Sequence, residues 1–385
     1  MNWKLASLGD ITTIKGGGTP SRKVGEYWNG CIPWASVKDF SSNELNSTLE
    51  SISEEGLKKS STNLIPENTI IIPTRMALGK VAINKIPVAI NQDLKALFIK
   101  FPEKVDIKYL AGFLRSKSEF IERNGSGATV KGVTLDLIKN IPVPLPPLED
   151  QKRIVELLDR ARALIDKRKE QIGLMDQLIQ SLFYDMFGDP VTNPMGWEIK
   201  KLADIGELKR GKSKHRPRND PSLLGGPYPL VQTGDISNAG LYLTKYSQTY
   251  SELGLAQSKI WPKNTLCITI AANIAKTSIL TFDACFPDSV VAFVPKNGID
   301  KMYIQLWFGF LQKIIEATAP ESAQKNINLK ILSELDIPVA PFELQNSFAD
   351  RVQEIEAQKE AMTTSLRELE NNFNSISQRA FKGEL

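Results

Sequence analysis

The second half of this chain repeats the first, in order and at a nearly constant lag of roughly 195 residues. Trp3, Leu8, Asp10, Ile11, Lys15 and Gly17 recur as Trp197, Leu202, Asp204, Ile205, Lys209 and Gly211. Pro33 and Asp39 recur as Pro229 and Asp235, and Pro66, Asn68 and Thr69 as Pro262, Asn264 and Thr265. Further on, Lys80 returns as Lys276, Tyr109 as Tyr303, Lys131 as Lys325 and Leu135 as Leu329. The tripeptide IPV at 141–143 returns at 337–339, and Pro147, Glu149 and Gln151 return as Pro341, Glu343 and Gln345. The chain must therefore fold as two copies of one plan, with a pseudo-two-fold relation between them.

Each copy divides in the same way. Short β-like runs (Thr69 to Ile72; Leu266 to Ile270) alternate with Gly, Pro and Asn turns, which predicts a mixed α/β (α+β) domain. One amphipathic helix follows, with Leu110, Phe113, Leu114, Phe120 and Ile121 matching Ile304, Trp307, Phe308, Ile314 and Ile315. A proline-rich stop, IPVPLPP or IPVAP, must be extended and leads into a long helix. The expected division is a domain at 1–147, a helix at 148–187, a second domain at 188–341 and a second helix at 342–385.

Both long helices carry a heptad. Leu158, Ile165, Ile172, Ile179 and Met186 fall seven apart, with Ala161, Arg168, Met175 and Leu182 three residues after the first four. The second helix gives Val352, Lys359, Leu366, Phe373 and Ala380, with Ile355, Met362, Leu369 and Ile376 between them. A sustained 3–4 spacing with one basic break per helix is a coiled-coil seam. The connection GDPVTNPMGW (188–197) runs from the first helix straight into the second domain, which favours an antiparallel pair. A helix of about 37 residues spans roughly 55 Å, more than one turn of B-DNA.

Composition narrows the function. Of 385 residues 42% are hydrophobic and 24% charged, with a net charge of +4, as in an ordinary globular protein. No apolar run approaches membrane-spanning length and the N-terminal stretch MNWKLASLGD has no apolar signal region, so a cytoplasmic chain is expected. Three scattered cysteines, Cys31, Cys267 and Cys285, build neither a disulfide framework nor a zinc knuckle. The single histidine, His215, lies in the basic run KRGKSKHRPR, a poor place for an oriented catalytic base, and a histidine-rich metal site is excluded.

The local charge distribution points to nucleic acid. Lys209, Arg210, Lys212, Lys214, Arg216 and Arg218 crowd a loop rich in Gly, Ser and Pro, which suits the phosphate ladder of a duplex. The corresponding first-half loop, KGGGTPSRK, offers Lys15, Thr19, Ser21, Arg22 and Lys23. Groups able to read base edges are Arg75, Lys80, Asn91 and Gln92, with Asn273 and Lys276 in the second copy. Ser36 and Lys38 are matched by Gln232 and Thr233, and Lys131 and Lys325 precede helix-like segments whose backbone N–H groups suit phosphate. Shared scaffolds with different loops should read two different short sequences, with the helices fixing the gap.

Catalytic motifs are missing. GELKRGKS (206–213) fits a P-loop pattern, but charged KKLADI precedes it and proline-containing KHRPRNDP follows, where a P-loop needs a buried strand and a helix. No GxGxxG and no Asn/Asp-Pro-Pro-aromatic motif of an amino-methyltransferase is present, and Asp189, Glu198 and Lys200 only loosely match a nuclease set.

At VKGVTLDLIKNIPVPLPPLEDQKRIVELLD (130–159), FGDPVTNPMGWEIKKLADIGELKRG (187–211), IPWASVKDF (32–40) and NQDLKALF (91–98), the chain resembles the specificity subunits of Type I restriction–modification systems. The resemblance implies two target recognition domains on an antiparallel helix pair and a bipartite, asymmetric duplex DNA target. It further implies no catalysis and no cofactor on this chain, and two docked methyltransferase subunits that bind S-adenosylmethionine and methylate a flipped adenine. An endonuclease–translocase subunit would add ATP- and Mg²⁺-dependent cleavage. Two other readings stand beside it: the recognition subunit of a related Type II system, and a coiled-coil scaffold that joins protein-binding domains without DNA.

Overall fold

The computed structural model describes residues 3–127, 131–215, 217–271, 275–318 and 328–384, with backbone alone for 311–318. The first-half strands are β1 (Lys4–Ser7), β2 (Thr12–Gly16), β3 (Trp28–Ala35), β4 (Glu44–Leu45), β5 (Glu50–Ile52), β6 (Asn63–Ile65), β7 (Ile70–Pro73), β8 (Ala82–Asn84), β9 (Val88–Ile90), β10 (Leu94–Ile99) and β11 (Pro142–Leu145). The second-half strands are β12 (Glu198–Lys201), β13 (Gly206–Arg210), β14 (Leu224–Leu230), β15 (Tyr242–Leu243), β16 (Gln248–Tyr250), β17 (Ile260–Trp261), β18 (Leu266–Thr269), β19 (Thr277–Leu280), β20 (Ala284–Cys285), β21 (Val290–Pro295) and β22 (Asp336–Val339).

The repeat holds strand for strand. A five-stranded sheet in the order β2-β10-β7-β8-β4 is matched by β13-β21-β18-β19-β15. A four-stranded sheet β5-β3-β9-β6 is matched by β16-β14-β20-β17, and the ribbon β1-β11 by β12-β22. Registers agree as well: Trp34 faces Glu50 and Ala89, and Leu230 faces Gln248 and Cys285.

The central strands show why each sheet forms. Along β7, Ile70 and Ile72 enter one core while Ile71, on the opposite face, enters another. Along β18, Leu266 and Ile268 point into one core and Cys267 into the other. Alternation with period two places successive side chains on opposite faces, so a strand covered on both sides reads as a continuous apolar run. One core lies against the helices and the other against the four-stranded sheet. The proline-rich stop is β11 and its counterpart β22, each paired antiparallel with the domain's own N-terminal strand. Ribbon edges tolerate proline because no further strand needs its missing N–H.

The domain helix is Ile107–Ser116 followed by Ser118–Arg123 in the first half and a single helix Lys301–Thr318 in the second. Ile314 and Ile315 fall where side chains lie outside the described residues. The long helices run Leu148–Phe187 and Phe342–Lys382. Two compact units follow from the contacts: Met1–Lys169 with Thr364–Leu385, and Glu170–Thr363. In the first unit Arg162 stacks on Phe373 at 4.4 Å and Lys169 pairs with Glu370 at 2.9 Å, so numbering rises on one helix as it falls on the other. In the second, Lys359 pairs with Asp176 at 2.5 Å and Phe183 meets Phe348 at 5.6 Å, again antiparallel.

The seam is also part of each domain's core. Leu158, with Ile154, lies in the first unit's core, where Phe373, Ile376, Ala380 and Phe381 of the other helix join it. Ile179, Phe183 and Phe187 lie in the second unit's core with Phe348 and Val352, and Leu182 and Ile355 pack against it. Ile165 is buried; Ile172, Met175, Met362, Leu366 and Leu369 are half-buried. One correction follows. Near the end of the first helix the heptad puts Leu182 and Met186 in the seam, but Phe183 and Phe187 are the buried pair. A straight helix of 3.6 residues per turn drifts from a 3.5 repeat, and here the drift turns the apolar stripe into the domain. The basic break Lys359 is held by Asp176 and Glu356.

Each long helix is tied to its domain by one glutamine. Gln151, fully buried, accepts from Asp106 N–H at 2.8 Å and donates to Lys104 and Pro146 carbonyls at 2.8 and 2.9 Å. Gln345, equally buried, accepts from Asp300 N–H at 2.8 Å and donates to Ala340 O at 2.7 Å. Tyr109 and Tyr303 hydroxyls donate to Pro144 and Pro338 carbonyls, fastening β11 and β22. Among the described residues no helix is long and apolar enough to cross a membrane.

Candidate nucleic-acid interface

The two cationic loops begin where a glycine lets two backbones touch. A Cβ on Gly17 would lie 2.0 Å from Ile90 O, and one on Gly211 would lie 2.3 Å from Pro287 O. Such contacts exclude any side chain, so both loops are pressed onto the turn that leaves β9 or β20. Gly18 N–H donates to Ile90 O at 3.0 Å, and Lys212 N–H to Phe286 O at 3.2 Å. The cationic loop and the turn bearing Gln92, or Asp288 in the second copy, are thereby built as one edge.

In the first unit Thr19 Oγ1 donates to Gln92 Oε1, and Asp93 N–H donates to Asn91 Oδ1 at 3.1 Å. The Asp93 carboxylate lies 3.9 Å from the Arg75 guanidinium. Met76 N–H in turn donates to Lys131 O at 3.1 Å. Thr19, Gln92, Arg75 and Lys131 are thus linked along one edge. Lys23, Lys38 and Lys131 are exposed, and Lys15 is exposed with its ammonium 5.2 Å from the centre of the Phe98 ring. Ser36 caps the turn at Val37–Asp39.

In the second unit Arg218, Gln232 and Thr233 line one cavity of about 240 Å³ with Ser213, Tyr250, Ala271 and Ser289. Arg218 pairs with the Asp288 carboxylate, and Arg210 donates to the Asp288 carbonyl. Lys212 and Lys214 are exposed, and among the described residues nothing holds their ammonium groups. Lys276 is half-buried, its N–H donating to Thr269 Oγ1 at 3.0 Å. Arg216, Asn273 and Lys325 lie outside the described residues.

Several expected contact residues are already engaged by neighbours within the chain. Asn91 is buried, its amide oxygen capping its own turn, so it cannot present an edge to a base. The Lys80 ammonium donates to Phe40 O at 2.7 Å. Arg22 forks onto Glu50 at 2.5 and 2.8 Å and lies 3.6 Å from the centre of the Trp28 ring. The pair lowers the Glu50 pKa below its ordinary 4.5, chiefly through that hydrogen bond. Lys209 pairs with Glu207, and Gln232 donates to Gln248 at 2.5 Å. Ser21 gives its carbonyl to Trp28 Nε1 at 3.2 Å.

Sequence reasoning missed the organisers of the edge. Trp34 donates to Gly18 O at 3.1 Å and packs edge-on against Trp28 at 5.1 Å, which clamps the TPSRK segment. Lys95 donates to Gln92 O at 2.5 Å, and its pKa is lowered by burial. The paired tryptophans of WNGCIPW, flanking a cationic loop, were the available signal.

Comparison with known proteins places this architecture. The family model for the Type I restriction modification DNA specificity domain matches residues 1–174 and again 194–371. The chain belongs to this family. The specificity subunit of Type I restriction enzyme MjaIX from Methanocaldococcus jannaschii is similar, 30% identical over 60% of this chain and 57% of that protein. That of EcoR124I/EcoR124II from Escherichia coli is 37% identical over 48% of this chain and 46% of its own length. The chain thus spans about half the length of these two curated relatives. A chain solved in a study of complex assembly and conformational transition of the type I R-M system shares the fold, with a TM-score of 0.69 and 18% identity over 100% of this chain and 98% of that one. An S subunit from M. genitalium aligns with a TM-score of 0.53 and 16% identity over 99% of this chain and 96% of its own. The family's domain is matched twice, and each copy carries one such loop–turn edge. The two edges differ in chemistry at equivalent places: Gln92 against Asp288, Glu50 against Gln248 and Ser36 against Gln232.

Proposed function

We propose that this chain is the DNA-specificity subunit of a Type I restriction–modification enzyme. The domains at 1–147 and 188–341 each read one part of a bipartite, asymmetric duplex sequence. The helices at 148–187 and 342–385 set the gap and dock two methyltransferase subunits. Phosphates are met by the exposed lysines: Lys15, Lys23, Lys38 and Lys131 in the first unit, Lys212 and Lys214 in the second. Base edges are met by polar groups held at the loop–turn junction, Thr19 and Gln92 in the first unit and Thr233 in the second. The chain supplies recognition and positioning; S-adenosylmethionine and the adenine flipped from the stack belong to the methyltransferase partner. ATP and Mg²⁺ belong to an endonuclease–translocase partner. The complex works in the cytoplasm.

One observation carries the reading: glycine-pinned loops stand at the same strand ends of a strand-for-strand duplicated scaffold and differ in their polar groups. Common scaffold with divergent edge chemistry is what two unlike half-sites require. Co-expression with a candidate methyltransferase partner, followed by mapping of N6-methyladenine on host DNA, tests it. The expected result is one motif in two unlike parts with a fixed gap; random or absent methylation, or a single uninterrupted motif, contradicts it.

A further inference from the structure

The first unit contains a cleft of about 450 Å³ between the domain helix Ile107–Ser116 and segments of the two long helices. The second unit packs the corresponding positions. Gly112, Ser116 and Ser377 border the cleft; at the repeat lag their counterparts are Leu306, Phe310 and Phe183, all buried. Phe310 lies 5.0 Å from Phe183 and 4.7 Å from Tyr184, ring centre to ring centre. Three small residues thus hold open in one copy what three large ones fill in the other. The cleft is open to solvent, and its lining combines apolar rings with charged side chains, as a ligand-binding cleft does.

Charge specifies the occupant. Lys108 pairs with Asp159 at 3.6 Å and Lys85 with Glu44 at 3.3 Å, so each acid at the cleft has a lysine of its own. Arg115 and Arg162 also line it, and among the described residues neither has an ion-pair partner. Arg115 gives Nε and one Nη to Val81 and Asn43 carbonyls at 3.1 and 3.2 Å. Burial, and then the nearness of Arg162, push its pKa down to about 10. The second copy has Gly309 in place of Arg115 and a carboxylate, Glu356, in place of Arg162. The second copy fills its own space with the rings of Phe310 and Phe183, so a large apolar side chain is the shape that suits it, and the two arginines present only in the first copy call for a carboxylate beside that side chain.

We propose that the cleft receives a segment of a partner protein presenting a carboxylate next to a large apolar side chain, with Arg115 and Arg162 taking the carboxylate and Phe373 and Phe381 bounding the apolar group. Because the second copy is filled, such a partner engages one half of the duplicated chain only.

The test uses the full chain and a fluorescein-labelled peptide, Ser-Glu-Phe-Gly-Ser, read by anisotropy. A Gln-for-Glu peptide, inorganic phosphate and ATP serve as comparisons. Binding of the Glu peptide below about 1 mM is expected, with the Gln peptide at least about tenfold weaker. Arg162→Glu, an exposed site, should weaken the Glu peptide by about tenfold or more. Ser116→Phe with Ser377→Phe, which copies the second half, should abolish binding without lowering the melting temperature. No binding by the native chain, or binding indifferent to Arg162→Glu, overturns the proposal. So does tighter, Arg162-dependent binding of phosphate or ATP, which would mark a phosphate site instead.

Discussion

At the scale of single residues, two buried glutamines carry more than their size suggests. Each satisfies a helix-start N–H and backbone carbonyls through a fully buried side chain. Gln151→Leu keeps the volume and strands those groups, so the first unit should lose about 2–4 kcal/mol in urea unfolding, and Gln345→Leu should do the same to the second. The Arg22–Glu50 tether predicts a pH effect with a definite sign. The Glu50 pKa is lowered, so its stabilisation is present above 4.5 and is lost as pH falls through the depressed value. Both side chains are about half exposed, so the contribution stays below about 1 kcal/mol. Trp28 fluorescence should report the loop's release under acid, and Glu50→Gln should move that transition upward or remove it. In the second unit, Lys212→Glu with Lys214→Glu should weaken DNA binding in the assembled complex and reduce the log–log salt slope by about 2.

At the scale of elements, the seam and the core can be tested together. Phe183→Ala removes a fully buried ring that four aromatic neighbours surround, Phe187, Tyr303, Phe310 and Phe348. The second unit should lose about 3–5 kcal/mol, measured by denaturant unfolding. Both the duplicated plan and the long helices were legible, because apolar periodicity is written locally. Leu158 and Ile179 announce their burial by spacing alone. Phe183 did not, since the stripe leaves the heptad only where a domain core receives it. The candidate edge was legible by place and not by partner. The basic run located it, but whether an arginine is free depends on acids far away in sequence: Glu50 for Arg22, Asp288 for Arg218. Asn91 looked like a base reader because amide chemistry reads the same in a turn cap as at a groove.

At the scale of the whole molecule, the proposal separates what is read from how far apart it is read. Exchange of residues 1–147 for another recognition domain of the family should change one part of the methylated motif and leave the other. Matched seven-residue insertions in both long helices lengthen each by about 10.5 Å. They should alter the gap in the mapped motif while both half-sites persist; an unchanged gap would refute a spacing role for the helices.

The placement of Phe381 has a consequence for biogenesis. The second unit is one uninterrupted stretch, Glu170–Thr363, whereas the first needs Thr364–Leu385 to close its core. Domains emerging from the ribosome usually settle N-terminal end first. Here the order is reversed: the first unit waits, with apolar surface uncovered, until Thr364–Leu385 leave the exit tunnel. A chain cut before Thr364 would therefore lack part of the first unit's core while keeping the whole of the second unit's sequence.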